Sequence, residues 1–318
     1  MSSETTRTAI VTGATGLLGR QVTRAFERAK WTVKGTGFSR ADGVDVLKVD
    51  LGNAAEVEKT LDSVKPQVVV PPTASLTSVT TTLRELVPST LPPPSLWLAS
   101  VLRATFSLIY ISTDYVFPGK PGDAPYEADA KPQPTNLYGQ TKLDGELATL
   151  EEYKTAGKSG LGVVLRVPVL YGDAETPAES AVNVLMDAVW KAQEEDAKIK
   201  MDHWALRYPT NTEDVGRVCQ DVAVKYLETQ DRSSMPTILQ FSSEDKMTKY
   251  EICQTFGEIM GLSIARIEAN TEGNDPNAAV QRPYDCHLST KALKDLGISV
   301  ITQDFIGWWR WSVRAFRK

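Results

Sequence analysis

The chain reads as α/β: a doubly wound parallel sheet, with a smaller C-terminal α+β lobe over the carboxyl edge of the strands. Three observations predict this. Short β-rich runs alternate with helix-length segments through residues 1–170, and a glycine-spaced turn, VTGATGLLGR, joins the first run to the first helix. Beyond about Tyr171 the rhythm loosens into helices separated by short strands. Strands joined by helical crossovers pair in parallel with right-handed connections, and the loose remainder, residues 171–318, is expected to form the smaller lobe.

Each element has its own signal. TAIVT (residues 8–12) is a β-rich run, and Leu17, Leu18, Val22, Ala25, Phe26 and Ala29 then recur at helical spacing. Residues 31–35 and 45–50 read as the second and third strands, 54–64 as a helix, and 67–70 as a fourth strand apolar on both faces. LIYIS (108–112) is the fifth strand and GVVLRV (162–167) the sixth, after a long helix carrying NLYGQTKLDGE (136–146). In the second lobe, helices are expected over 180–194, 212–227, 248–261 and 289–296, with a short strand near 238–241.

At 318 residues, with 42% hydrophobic and 24% charged side chains, the chain can bury a substantial core. A net charge of -5 argues against a nucleic-acid or anionic-membrane coat, since both need a basic face. No apolar run is long enough to span a bilayer, and a short polar start leads directly into a strand, so a cytoplasmic chain is expected. Cys219, Cys253 and Cys286 lack metal or disulfide spacing and read as buried free thiols. His203 and His287 are not spaced as ligands, so no metal is expected; His203 reads as structural.

The glycine turn carries the first functional signal. Gly13 permits a tight turn, Gly16 lets backbone approach a pyrophosphate at the helix N-terminus, and Gly19 lets helix and strand pack closely. This is a dinucleotide-binding Rossmann pattern. Ser39 and Arg40 occupy the end of the second strand, where an acidic residue would select NAD; a guanidinium and a hydroxyl suit a 2′-phosphate, so NADP is expected. Asp50 and Leu51 are placed to meet adenine, although an aspartate at a strand end equally serves as a helix cap.

Tyr138 and Lys142 stand one helical turn apart, and Thr113 ends the fifth strand in ISTDYVF. A lysine ammonium favours a phenolate, and a threonine hydroxyl can complete a proton relay to a carbonyl. The spacing alone is common on helices. Its place behind the glycine turn and the STDYVF strand end gives it weight.

VTGATGLLGR, ISTDYVF, PYEADAKPQPTNLYGQTKLDGE and LRVPVLYG together resemble the extended short-chain dehydrogenase/reductases, and among these the dTDP-4-dehydrorhamnose reductase (RmlD-like) type. Further along, ESAVNVLMDAV, MDHWALRYPTNTEDV, KMTKYEI and QRPYDCHL are similar to the regulatory β subunits of methionine adenosyltransferase. The resemblance implies an NADP-binding regulatory subunit that modulates S-adenosylmethionine synthesis. An NADPH-dependent nucleotide-sugar reductase is the alternative. The expected cofactor contacts are Gly13, Thr15, Gly16, Leu17, Leu18, Gly19, Ser39, Arg40, Asp50, Leu51, Tyr138, Lys142 and Arg166, with Thr113, Tyr138 and Lys142 as the catalytic set, one that a regulatory subunit can retain in vestigial form because fold outlives chemistry.

Four further stretches bear on function. Arg207 to Thr210 and Gln281 to Pro283 fall in two loops where an arginine suits either a phosphate or carboxylate, or a structural carbonyl or partner contact. The end, DFIGWWRWSVRAFRK, interleaves aromatics with Arg310, Arg314, Arg317 and Lys318, and is expected to meet the methionine adenosyltransferase catalytic subunit through Trp308, Trp309, Trp311 and Phe316. A last helix burying its own tryptophans would account for part of that run. Residues 71–107 break the family pattern at both ends, with Pro88, Pro92, Pro93 and Pro94 interrupting any long helix and only Arg84, Glu85 and Arg103 charged. We read this tract as translated out of frame or across a misassigned exon boundary; the alternative is a genuine variable, proline-rich segment.

Overall fold

The computed structural model describes residues 7–38, 40–71, 106–274 and 281–315. The tract at 71–107, except its end residues, and Ser39, Phe316, Arg317 and Lys318 lie outside the described residues. The chain divides into two compact units: Met1–Ser112, Thr141–Arg166 and Val215–Leu239 in the first, and Thr113–Gln140, Val167–Asp214 and Gln240–Lys318 in the second.

The central sheet has seven strands: β1 (Thr8–Thr12), β2 (Thr32–Gly37), β3 (Val46–Lys48), β4 (Val68–Val70), β5 (Ser107–Thr113), β6 (Gly162–Val167) and β10 (Ile238–Gln240). Their order across the sheet is β10-β6-β5-β4-β1-β2-β3. β1 runs parallel to β2 and β4, β2 to β3, and β4 to β5, as doubly wound topology requires. The short strand expected within the C-terminal lobe is therefore the outer strand of the main sheet. The backbone N–H of Val164 donates to Thr237 O at 2.8 Å just before it. Helix α5 (Thr212–Glu228) precedes that strand, so chain beyond residue 170 returns to the sheet.

Among the described residues, the β2–β3 connection has no helix. Asp42 closes it instead: Oδ1 accepts from the N–H groups of Val44, Asp45 and Val46 at 2.8–3.0 Å. One carboxylate thus satisfies the donors a helical turn would have used. Helices α1 (Leu17–Arg28), α2 (Ala54–Val64) and α3 (Leu137–Thr155) supply the other segments. Asn53 caps α2 by accepting from Ala55 and Glu56. Ile10, Val69, Leu108 and Phe106 pack with Val57, Leu61 and Tyr153 into one core of the first unit.

In the second unit β7 (Leu170–Tyr171) pairs with β9 (Thr210–Asn211), and β8 (Ile199–Asp202) with β11 (Ile267–Asn270). Three helices, α4 (Leu185–Lys191), α6 (Lys249–Met260) and α8 (Phe305–Ser312), share a core with Tyr171; α7 (Lys291–Asp295) is short. Helix α6 starts on a capping box, with Thr248 and Glu251 exchanging backbone hydrogen bonds.

This core corrects the expectation for the C-terminal aromatics. Phe305, Trp308 and Trp309 lie on the buried face of α8, against Tyr171 and Phe256, with ring centroids 4.7–6.2 Å apart. Trp308 and Trp309 are spent on the fold and are unavailable to a partner. Trp311, 66% exposed, lies on the opposite face with Ile306 and Arg310, and Arg314 is exposed just past the helix end. The spacing 305, 308, 309 against 306, 310, 311 is that of an amphipathic helix, here aromatic on both faces.

Candidate functional site

Glycine placement shapes the turn after β1. Gly13 sits at φ 57, and the N–H of Gly16 donates to Gly13 O at 2.9 Å. A Cβ on Gly19 would overlap that same carbonyl, so only glycine lets α1 start this close to the strand. Gly16 is the N-cap residue, with no side-chain capping bond and no acidic residue in the first turn. The helix therefore begins with backbone donors and a positive dipole end, suited to an anion. Arg20 fixes the turn from inside, donating from Nη1 to Thr15 O at 2.6 Å. Leu18 is buried in the core, whereas Thr15, Gly16 and Leu17 keep partial exposure.

The other expected contacts divide. Arg40 is exposed, in the loop after β2. Asp50 is exposed and accepts from Gly52 N–H at 2.8 Å, while Leu51 packs against the core of the first unit. Asp50 thus shapes the turn before α2, with Asn53 rather than Asp50 as the cap. Arg166 is corrected: it is only 1% exposed, and its guanidinium grips Glu146 through Nε at 2.9 Å and Nη2 at 2.7 Å. It holds the protein's own carboxylate, not a ligand.

Glu146 and Ser112 were missed in sequence, although Glu146 follows Lys142 at helical spacing. Ser112 Oγ donates to Glu146 Oε1 at 2.5 Å, and the backbone of α3 is brought onto β5 because a Cβ at Gly145 would overlap the Tyr110 hydroxyl. This close approach explains a glycine inside a helix, which otherwise costs about 1 kcal/mol.

Lys142 lies in this setting, 2% exposed, with its ammonium 4.4 Å from the centre of the Tyr110 ring. Among the described residues, Nζ has no hydrogen-bond partner. Burial pushes its pKa down to about 7, against which the Glu146 carboxylate pulls upward. A buried amine with no acceptor among the described residues is a group that a bound hydroxyl-bearing ligand would satisfy.

Helix α3 enters from the second unit, and Tyr138 lies on its first turn. Asn136 accepts from Gly139 N–H at 2.9 Å, setting the start of the helix. Tyr138 meets Tyr115 edge-on at 6.1 Å. Its hydroxyl pKa is pushed up to about 12 by burial and by the Asp114 carboxylate, against a lowering hydrogen bond with Thr113. Thr113 Oγ1 also donates to Asp114 Oδ1 at 3.0 Å. Asp114, missed in sequence although adjacent to Thr113, is buried; desolvation raises its pKa to about 6, opposed by Arg207. These influences keep the phenol protonated at neutral pH, a donor rather than a phenolate.

His203 is satisfied by Thr248, Nδ1 to Oγ1 at 2.8 Å. Among the described residues no cluster of His, Cys, Asp and Glu could hold a metal ion, and no helix is long and apolar enough to cross a membrane. Cys219, Cys253 and Cys286 are buried free thiols, as expected.

A doubly wound sheet with a glycine turn at its first helix defines a class, and comparison with known proteins agrees. Residues 7–314 match the RmlD substrate binding domain model, and the chain belongs to this RmlD-like family of short-chain dehydrogenase/reductases. Among its relatives are the methionine adenosyltransferase 2 subunit β of Danio rerio, 37% identical over 94% of this chain and 88% of the relative, and that of Xenopus tropicalis, 36% identical over 95% and 86%. A dTDP-4-dehydrorhamnose reductase from Bacillus anthracis, solved in complex with NADP, superposes with a TM-score of 0.72 at 17% identity, covering 97% of this chain and 99% of that one.

Proposed function

We propose that this chain is an NADP-binding regulatory subunit of methionine adenosyltransferase that modulates S-adenosylmethionine synthesis. The observation that carries the reading is likeness to subunits of that name along nearly the whole chain, at 36% identity. The cofactor is supported by the capless start of α1 behind Gly13 and by the orphaned ammonium of Lys142. Bound NADP would supply redox capacity; the backbone donors of the glycine turn would hold its diphosphate, Arg40 its 2′-phosphate, and Lys142 a ribose hydroxyl. Ser39 belongs to the same proposal.

The partner contact rests on Trp311 with Arg310 and Arg314, the exposed aromatic-basic face of α8, and on Phe316 beyond it. Co-elution with the catalytic subunit, with and without NADP, tests this. The full chain is expected to co-elute, and Trp311→Ala to weaken the complex while leaving the fold intact. A folded chain that elutes alone in every condition overturns the reading.

Retention of Thr113, Tyr138 and Lys142 favours a second reading, an NADPH-dependent reductase of a 4-keto nucleotide sugar. Tyr138 would be the acid, Thr113 its orienter and Lys142 the ribose anchor. NADPH oxidation with dTDP-4-dehydrorhamnose that disappears in Tyr138→Phe would establish it.

A further inference from the structure

The Lys142 ammonium is seated on an aromatic face. Nζ is buried and has no hydrogen-bond partner among the described residues, and the centre of the Tyr110 ring lies 4.4 Å from it. The acid nearest along the same helix is already spent. Glu146 Oε1 takes Ser112 Oγ from β5 and Arg166 Nε from β6, and Oε2 takes Arg166 Nη2. Glu146 therefore acts on the ammonium through space and gives it no oxygen. What stands against the charge in place of an acceptor is the ring.

Tyr110 is itself held in register with Lys142. It lies on β5, 2% exposed, and its hydroxyl donates to Lys142 O at 3.5 Å. This approach needs Gly145, where a Cβ would overlap both the hydroxyl and the ring carbon that bears it. One side chain thus meets the backbone carbonyl and the ammonium of the same lysine, and ties both to β5. An unbranched lysine side chain has many rotamers. A π face narrows them by attracting the charge, yet accepts none of the N–H groups.

We propose that Tyr110 is a positioning residue for Lys142, its ring face keeping the ammonium charged and in place while leaving the N–H groups to a ribose hydroxyl. This rests on the NADP reading, in which Lys142 holds that hydroxyl. Burial works against the charged amine, whereas Glu146 and the ring work for it. Removing the ring lowers the proton affinity of the ligand-free protein. Where the amine has lost its proton, NADP must restore it on binding, so the affinity lost through the substitution grows with pH. A change that only loosens the fold weakens binding alike at every pH.

The test is calorimetric titration of NADP into the full-length chain from about pH 6 to about pH 9. Tyr110→Leu is expected to bind about tenfold more weakly than wild type near the upper limit and within about twofold of it near the lower. Tyr110→Phe, which keeps the ring face, is expected to restore the wild-type profile. In a Lys142→Met background, Tyr110→Leu should add no pH-dependent loss. Near-ultraviolet circular dichroism reports folding, and Tyr110→Met, which fills the space without a ring, decides the question should Tyr110→Leu not fold. Wild-type affinity in a folded ringless variant, a loss independent of pH, or Tyr110→Phe as weak as Tyr110→Leu overturns the proposal. A folded wild-type chain that takes up no NADP overturns the cofactor reading and this proposal with it, and is told apart because wild type alone reports it.

Discussion

Arg166 and Arg207 are buried to nearly the same depth, 1% and 6% exposed, yet one is closed and the other open. Arg166 meets Glu146 through two parallel hydrogen bonds, and Ser112 occupies the same carboxylate. Arg207 spends one nitrogen on backbone carbonyl; among the described residues Nη2 has no hydrogen-bond partner and only a long ion pair, to Asp202 Oδ2 at 3.9 Å. Desolvating a guanidinium is expensive, and where the protein supplies the counter-charge in full the residue is a strut. Where it does not, the residue keeps part of that desolvation cost. Lys142 belongs with Arg207 in this division, although Glu146 lies within its field.

The largest effect expected is on the closed side. Arg166→Met leaves Glu146 buried without its cation and should cost about 3–5 kcal/mol, read as a lower urea midpoint. A loss no greater than that of a surface substitution would mean the pair is not a strut. Trp309→Ala should cost a similar ~3–5 kcal/mol through the core of the second unit. Trp311→Ala on the other face of α8 should leave the midpoint unchanged. Equal destabilisation by both would remove the distinction between the packed and presented faces of that helix.

Much of this division was legible in the sequence, and the part that was not has a physical cause. Helix α2 and strand β6 fall at their expected bounds because their periodicity and turn residues are local. The placement of β10 beside β6, and the pairs β7–β9 and β8–β11, depend on partners distant in sequence. The glycine turn, Tyr138 and Lys142 were visible from spacing. Arg166 was expected as a cofactor contact through the family resemblance, whereas its commitment to Glu146 exists only once α3 lies on β5. The tryptophan run held both its meanings in sequence; the helical phase of α8 assigned them residue by residue.

Lys142→Met gives a smaller effect of opposite sign. Its folded pKa is lowered from 10.5 to about 7, so the unfolded chain binds more protons between those values and the fold gains stability as pH rises through that window. Wild-type chain should therefore gain about 2 kcal/mol from this group between pH 7 and pH 9. Lys142→Met should lack that rise, be no less stable than wild type at pH 7, and lose part of the stabilisation conferred by NADP. Destabilisation at pH 7 with unchanged NADP stabilisation would place Lys142 among the struts.

Asp114 supplies the smallest and most discriminating effect, because it lies on the open side with Arg207 acting on it and Thr113 donating to it. Its folded pKa is raised from 3.8 to about 6, so the native state holds a proton that the unfolded chain has lost across that interval. The fold gains stability from this group as pH falls from 6 towards 4, the reverse of a carboxylate closed by a cation. Asp114→Asn should flatten that acid-side slope by about 1 kcal/mol per pH unit or somewhat more near the middle of the interval, measured by urea unfolding. If Arg207 were already holding Asp114 as a full ion pair, the slope would have the opposite sign, with stability lost on acidification. That outcome would make Arg207 a second Arg166.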